Sequence, residues 1–506
     1  MAKMIDRIAA RLGYSPTSPP RRRSFSAANS GRLFAGWVTA PMSLDQELRS
    51  GLRAVRTRAR DLSVNNAHAR RFLAMARINV IGPDGIRLQP NVRRPGSATE
   101  RDEAANRVVD EAWREWGRRG TCTVCGTMSW LEVERLLLEA AARDGEFMLR
   151  KVIGFPNRFG FAVQPIDIDH LDETYNDDLA NGGQIRMGVE LDRWKRPVAY
   201  HLLRQHPGES ATVSRIGRER ERIPASEIVH GFVRERAGQT RGVPWMIAAM
   251  GRLKMLDGYE EAALVAARVG AAKGGFYVEE DPDAYEGEAS ESDADGNLLQ
   301  EAEAGHFERL PPGVKFETYD PTYPHGEFGH FIKAALRGVS AALNVSYNSL
   351  SWDLEGVNFS SMRAGTLEER DSWRVLQRWT YEGIHDQIWP DWLRTGMLAG
   401  GIALPFTRFE DAARPVWRPR GWSWVDPLKD QQAVDVALKN KLRTRRDVVA
   451  ETGRDIEDVF RGLAEEEKLA AQYGISLAQD SPAPAPAPAP ADAGDGQDAA
   501  DADATD

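Results

Sequence analysis

Two cysteines stand close together as Cys122-Thr-Val-Cys125, a spacing shared by zinc ribbons and thiol oxidoreductases. A structural zinc site needs two further ligands at matching spacing, and neither a second cysteine pair nor an HxxxH run occurs. Redox use would want a strand before the pair and a βαβ context, which the flanking sequence lacks. The pair reads as two half-buried thiols. Glu291–Ala302 comes near a calcium loop, with Asp293, Asp295 and Gly296 at its third, fifth and sixth positions. Ala302 then occupies the last position, where a bidentate glutamate is required. His306, His325 and His330 are neighbours in sequence without spaced carboxylates or thiols beside them. The run Gly270-Ala-Ala-Lys273-Gly-Gly lacks P-loop spacing, and no GxSxG or HExxH is present. No catalytic residue, metal or cofactor is therefore expected. A chain of 506 residues with no reactive constellation reads as a structural or assembly component rather than an enzyme.

Length and charge frame what such a chain does. At 506 residues it exceeds one ordinary hydrophobic core, so several domains or an elongated subunit are expected. Hydrophobic residues make up 42% and charged residues 28%, enough for a sizeable core in a soluble protein. The net charge of −9 is unevenly spread. Residues 1–79 are basic, carrying Arg21, Arg22, Arg23, Arg53, Arg56, Arg58, Arg60, Arg70, Arg71 and Arg77, whereas Glu279–Asp320 and the last segment are acidic. Separate faces for different partners follow from that asymmetry. The longest apolar run, near Ala262–Ala272, is interrupted by Arg268 and falls short of the ~18–20 residues a membrane span needs. Neither a membrane partner nor a secretory signal is expected, and two cysteines suit a reducing cytoplasm.

The elements that would position any partner surface follow from periodicity. Residues 1–30 read as a flexible basic arm. Leu44–Val80 is helical in pattern, followed by a turn at Gly82-Pro83-Asp84-Gly85 and helices at 101–117 and 129–143. Strand chemistry takes over at Phe147–Val152, Phe161–Gln164, Val189–Asp192 and Val198–Leu203, with a hairpin around Asp192–Pro197. Residues 31–240 thus read as an α+β domain. Pro244 suits a first helical turn, and a helix runs from it to Lys273, stopped by Gly274-Gly275. The acidic insert beyond it is flanked by Phe276–Val278 and Val314–Thr318, which can pair as strands. A second helix from Phe328 to before Asn344 completes a helical hairpin. A polar loop spans Asn344–Asn358, and a helical stretch carrying Trp373, Leu376, Trp379, Ile384, Ile388, Trp389 and Trp392 runs to Leu398, broken at most by Pro390. After extended chain at 401–425, short helices resume from Pro427 to Tyr473, with a capping box at Thr444–Asp447 and an N-cap at Asp455. The Pro/Ala/Asp-rich remainder is low in complexity and expected to be extended.

Asp61-Leu-Ser-Val-Asn-Asn66-Ala-His-Ala-Arg70-Arg71 followed by Asn79-Val-Ile-Gly82 resembles the opening helix of lambda-type phage portal proteins. Gly188–Asp192 with Arg196–His201 resembles their wing hairpin. The most specific run, Ile228-Val-His230 through Gly238-Gln239-Thr-Arg241-Gly242-Val-Pro244, is similar to the approach to their stem helix. Asn358-Phe-Ser360-Ser361-Met-Arg363 and Trp424-Val-Asp426-Pro427 resemble segments further along, so the likeness covers about residues 40–475 in the family's order.

What the resemblance implies is an α+β phage portal fold with an α/β wing, a helical-hairpin stem, a small α/β clip, a long helix behind a tunnel loop and a helical crown. On this chain residues 31–240 would be wing, 241–275 and 326–343 stem, 276–325 clip, 344–358 tunnel loop, 359–400 long helix, 401–426 a return to the wing, 427–475 crown, and 476–506 a disordered tail. The family forms a homo-oligomeric ring, usually a dodecamer, at one capsid vertex of the virion, after assembly in the host cytoplasm. Implied partners are the terminase large subunit, a head-completion or adaptor protein, the major capsid protein or scaffold, and double-stranded DNA passing through the channel. Asn348, Ser351, Asp353, Glu355 and Asn358 become the tunnel residues. Asp353 and Glu355 are expected to face DNA, whose dense phosphate charge a negative lining would repel and leave free to slide. Glu279, Glu280, Asp281, Asp283, Glu286 and Glu288 become the docking acids of the clip. Arg363 would pair with Glu368 or Glu369 of its own chain or cross to a neighbouring subunit, making Arg363 and Glu368 interface candidates, and the basic residues at 49–77 contact internal DNA or solvate a helix face. Two other readings stay open: another head-assembly or head–tail connector component, and a nucleic-acid-processing enzyme.

Overall fold

The computed structural model describes residues 38–97, 100–180, 182–209, 219–271, 275–279, 314–318, 327–355, 358–422 and 427–475. The basic arm, the calcium-loop near miss, His306, His325, the clip acids Glu280, Asp281, Asp283, Glu286 and Glu288, and the Pro/Ala tail lie outside them.

The expected single helix over 44–80 is two helices, α1 (Leu44–Asn65) and α2 (Ala67–Val80), broken at Asn66. Asn66 adopts extended backbone (φ −109°, ψ 123°) and its side-chain oxygen accepts from the N–H groups of His68 and Ala69. Asparagine is a favoured N-cap, so the second helix restarts there rather than continuing the first. After the short strand β1 (Arg87–Gln89) come α3 (Glu103–Trp116) and α4 (Trp130–Asp144). α4 opens with a capping box between Ser129 and Glu132 and ends at Gly145 in the left-handed region (φ 92°).

Two antiparallel sheets follow. β2 (Glu146–Ile153) is the centre of a three-stranded sheet between β3 (Phe161–Ile166) and β9 (Ile228–Phe232). β4 (Asp177–Asp178), β5 (Gln184–Arg186), β6 (Val189–Leu191), β7 (Pro197–Leu203) and β8 (Arg220–Pro224) form a five-stranded meander, whose β6–β7 turn is the expected hairpin, with Lys195 at φ 63°.

α5 (Ile247–Ala271) and α6 (Phe328–Leu343) form the helical hairpin. They run antiparallel: Tyr259 stacks on Phe328 and meets Phe331, while Gly338 sits under Arg252. β10 (Gly275–Glu279) and β11 (Val314–Thr318) pair antiparallel as their flanking sequences predict. The expected tunnel loop contains a helix, α7 (Tyr347–Ser351), because Ser346 supplies an N-cap to Ser349 N–H.

α8 (Phe359–Thr380) and α9 (Asp386–Leu398) make one long helical line interrupted by a π-helical turn at Tyr381–His385, not at Pro390. The wide turn carries His385 inward to Glu134, at 2.6 Å. After α10 (Phe409–Ala412), β12 (Val416–Arg418) pairs with β1 through Leu88↔Trp417. α11 (Pro427–Lys439), α12 (Arg445–Glu451) and α13 (Ile456–Gln472) finish the described chain; Thr444–Asp447 and Asp455 cap them as expected.

The main core ignores the boundary at residue 240. Trp113, Trp116 and Trp130 pack against Trp389, Trp392 and Trp417, with Trp113 only 4.9 Å from Trp392 edge to face. The α+β unit is therefore completed by the second half of the chain. No helix among the described residues is long and apolar enough to cross a membrane.

Candidate functional site

The helical hairpin leaves the body at residues that the sequence does not advertise. Gly145 ends α4 in a conformation L side chains rarely adopt, and the chain turns at once into β2. A Cβ on Gly242 would lie 2.1 Å from the carbonyl oxygen of Gly145, so these two backbones touch only because both residues are glycine. Trp245 N–H donates to Ala142 O at 3.0 Å, fastening the start of the hairpin to the end of α4.

Glu146, fully buried, sits directly behind that contact. Its carboxylate accepts from Arg241 Nε (2.9 and 3.0 Å), Arg56 Nη2 (2.8 Å) and Gly242 N–H (2.9 Å), and bonds His230 Nε2 at 2.9 Å. Around it Arg56 reaches Asp169 (2.6 Å), Arg60 reaches Asp144 (2.7 Å), Asp167 (3.1 Å) and Asp169 (2.6 Å), and Arg143 pairs with Asp144 (2.7 Å). Burial alone would raise the Glu146 pKa; the guanidinium of Arg241, the His230 hydrogen bond and Arg56 outweigh it and hold the carboxyl well below its ordinary range. Burial pushes His230 the other way, towards the neutral ring, against the pull of Glu146. Arg56, Arg60, Arg143 and Arg241 thus face Asp144, Glu146, Asp167 and Asp169 in a balanced cluster. It ties α1, β2, β9 and the hairpin root together.

Asp167, Asp169 and His206 also bring ligand atoms within 4.8 Å of one another. Guanidiniums of Arg56 and Arg60 already occupy the carboxylates, so the group is an ion-pair lattice.

The residues expected to line a tunnel cluster at the far end of α6. Asn344 turns the chain in the left-handed region (φ 54°), and Trp352 does so again (φ 58°) after α7. Asn348 O caps α7 by accepting Trp352 N–H, and Ser351 Oγ donates to Tyr347 O. Asp353 accepts from Tyr347 O–H (2.8 Å) and pairs with Lys333 (3.1 Å), which also reaches Glu355 (3.2 Å). The Tyr347 hydroxyl, the Glu355 N–H and Lys333 hold the Asp353 carboxyl below its usual range. Glu355 and Asn358 are exposed. Both acids thus carry an internal counter-charge, Lys333, that the sequence reading did not include. Trp352 is two-thirds exposed (67%), with the Arg71 guanidinium 4.5 Å over its ring.

Arg363 pairs with neither Glu368 nor Glu369. It reaches across to Asp430 of α11 at 2.5 Å, and Glu368 stays exposed. Glu369 instead accepts from Trp373 Nε1 and Ser346 N–H. The basic residues of α1 and α2 are mostly engaged within the chain: Arg53 with Glu173, Arg56 and Arg60 in the buried cluster, Arg71 on Ser349 and Trp352, Arg77 with Glu139. Of the acids expected to form a docking clip, only Glu279 is described, as the last residue of β10.

The thiols differ sharply. Burial raises the Cys122 pKa to about 12, whereas hydrogen bonds with Thr127 and Thr123 lower exposed Cys125 to about 7.

Reasoning from sequence missed Glu146 altogether. Three of its partners, His230, Arg241 and Gly242, lie inside the run Ile228–Pro244 that carries the resemblance, and a charge at a strand start is the only further sign.

Residues 30–377 match the family model described as phage portal protein, lambda family. A probable portal protein of Halomonas phage phiHAP-1 is 36% identical over 482 residues, covering 93% of this chain and 92% of the relative. Portal protein B of Escherichia phage lambda is 22% identical, covering 85% and 86%. Among solved structures, the neck of an empty gene-transfer-agent particle aligns at 13% identity and a TM-score of 0.45, covering 83% of this chain and 97% of that one. With the family model spanning most of the chain and the phiHAP-1 relative matching nearly end to end, the chain belongs to the lambda family of phage portal proteins.

Proposed function

We propose that the protein assembles head to tail into a ring at one capsid vertex, through which double-stranded DNA enters and leaves the particle. The observation that carries this reading is the composition of α5. Six charged residues interrupt it, yet large apolar side chains recur around the helix, and α6 covers only part of them. Leu253, Leu256 and Ala263 are buried, while Met255 (77% exposed), Leu264 (66%) and Val265 (52%) stay uncovered at separate points around the helix, interspersed with Lys254, Glu261 and Arg268. Large apolar side chains left bare on a helical hairpin suit burial against a neighbour, and a heterologous contact repeated around a closed ring supplies one.

In this reading 31–240 with 401–426 is the wing, the α5–α6 hairpin the stem, β10–β11 the base of the clip, 344–358 the tunnel segment, 359–400 the long helix and 427–475 the crown. A dodecamer is the subunit number the family suggests. The acidic clip, including Glu279, Glu280, Asp281, Asp283, Glu286 and Glu288, docks the terminase large subunit and later the adaptor. Capsid or scaffold surrounds the wing, and the ring acts as a conduit with no catalysis of its own. Asn348, Ser351, Asp353, Glu355 and Asn358 line the passage, where Lys333 tempers the negative charge of the two acids, and Glu368 offers an exposed interface acid beside the stem.

Packaging with charge-reversed subunits tests this reading. Proheads carrying Asp353→Lys with Glu355→Lys should package more slowly or stall with DNA held in the channel, since phosphate clamping replaces repulsion. Unchanged packaging kinetics contradict a DNA-facing tunnel segment.

A further inference from the structure

Three arginines gather around one indole where the long helix meets the crown. The guanidinium carbons of Arg370, Arg374 and Arg420 lie 5.8, 5.7 and 5.5 Å from the ring centroid of Trp422. The indole is fixed by its Nε1 donating to Asn79 Oδ1 (2.9 Å), and Gln377 Nε2 bridges Asn79 O (2.8 Å) and Arg420 O (3.1 Å). Those bonds bring the end of α2, the middle of α8 and the 419–422 segment together, with Gly421 against the backbone of Glu451. The platform is built, not an accident of long side chains in solvent.

Its charge is poorly balanced. Arg370 makes no ion pair among the described residues, and its Nε is buried without a hydrogen-bond partner. Arg420 donates only to the carbonyl oxygens of Gly421 (3.0 Å) and Ile78 (3.1 Å), which orient it without neutralising it. Arg374 alone has a carboxylate, Asp371, at 2.5 Å on the exposed side. The nearby acids are committed elsewhere, Glu369 to Trp373 and Ser346, Asp430 to Arg363. Burial together with Arg374 and Arg420 lowers the pKa of Arg370, as expected for cations crowded without an anion.

We propose that Arg370, Arg374 and Arg420, held on Trp422, form a phosphate site that takes the backbone of double-stranded DNA. Guanidinium forks match phosphate oxygens in pairs, and several converging forks with one carboxylate between them leave net positive charge for an incoming anion. The choice of duplex as ligand rests on the channel reading above; the anion site itself rests on the local charge.

The test is binding of a short fluorescent duplex to the assembled full-length protein, measured by anisotropy across a salt series. Arg370→Gln with Arg374→Gln should weaken binding on the order of tenfold at moderate salt and flatten the log–log salt slope by about 2, near the ~0.9 per phosphate contact expected for duplex DNA. Arg378→Gln, on the same helix but paired with Glu382, should change neither. Arg370→Lys with Arg374→Lys should recover the slope, since charge is restored, and unchanged ring assembly and thermal midpoint exclude a folding defect. Equal loss in Arg378→Gln, no recovery with lysine, or an unchanged slope in the glutamine pair overturns the site. So does ring disassembly by the glutamine pair with duplex affinity intact, which makes the ligand a neighbouring subunit's carboxylate. Competition by inorganic phosphate with no duplex effect reduces it to a free-anion site and rejects DNA. If rings form and the site variants are silent, only the site fails; if no ring forms, the channel reading fails first.

Discussion

Arg241 holds Glu146 through both carboxylate oxygens at 2.7 to 3.0 Å, and neither side chain reaches solvent. The two lie 95 residues apart, at the foot of the helical hairpin and the start of the central strand. Such a pair adds little to stability relative to apolar packing, but its halves cannot be separated cheaply. It fixes where the hairpin springs from the body.

Removing one charge should therefore be costly. Glu146→Gln leaves Arg56 and Arg241 buried around a neutral amide and should lower unfolding free energy by roughly 3–5 kcal/mol. Glu146→Gln with Arg241→Met should recover part of that loss. Urea unfolding of the subunit measures both, and a single substitution costing under about 1 kcal/mol would show the charges to be solvated.

Acid should act on the same cluster in two stages. His230 is neutral in the fold because burial depresses its pKa, so the unfolded chain binds a proton first as pH falls through ~6.5, and stability declines from there. Glu146 is depressed too: its contribution is complete above the unfolded value of ~4.3 and is lost progressively below it. In His230→Gln the decline between pH 7 and 5 should flatten while the steeper loss at lower pH persists; an unaltered upper limb assigns it to another group.

Two glycines with opposite surroundings should respond oppositely to alanine. Gly242→Ala drives a methyl into the Gly145 carbonyl and should cost roughly 1–3 kcal/mol or more, with poor recovery of soluble subunit. Gly251→Ala, in α5 with no atom within 4 Å of the added carbon, should be neutral or stabilising by up to ~1 kcal/mol. Thermal unfolding of both variants reads the contrast.

The thiols should separate by reactivity. Iodoacetamide at pH 7.5 should modify exposed Cys125, with its pKa near 7, and spare buried Cys122, as peptide mass mapping would show. Equal labelling would mean that the segment opens in solution.

Local signals carried far in this chain. Ser129 with Glu132, Thr444 with Asp447, and Asp455 began helices as their residue types foretell, and Phe276–Val278 met Val314–Thr318 across a long insert. Asn66 was legible in principle, being the best N-cap in a long helical run, but unbroken periodicity on both sides masked it. The long-range features were not legible. Glu146 looks like any charge at a strand edge until Arg56 and Arg241 arrive from 90 and 95 residues away. Lys333 reaches both Asp353 and Glu355 only because α6 folds back on the segment it introduces. Arg363 found Asp430 rather than its helix neighbours because α11 lies across that turn. Likewise the tryptophans at 389 and 392 announced a packing face, but not that the face completes a core begun at Trp113.

The central claim is that subunits close into a ring through contacts that cover the exposed apolar side chains of α5, and native mass spectrometry of the purified full-length chain tests it most directly. The wild-type chain should give a closed oligomer of defined subunit number, and Met255→Asp with Leu264→Asp should disperse it to folded monomers with an unchanged circular dichroism spectrum. A wild-type chain that stays monomeric even with its assembly partners, or a doubly substituted chain that still closes the same ring, contradicts it.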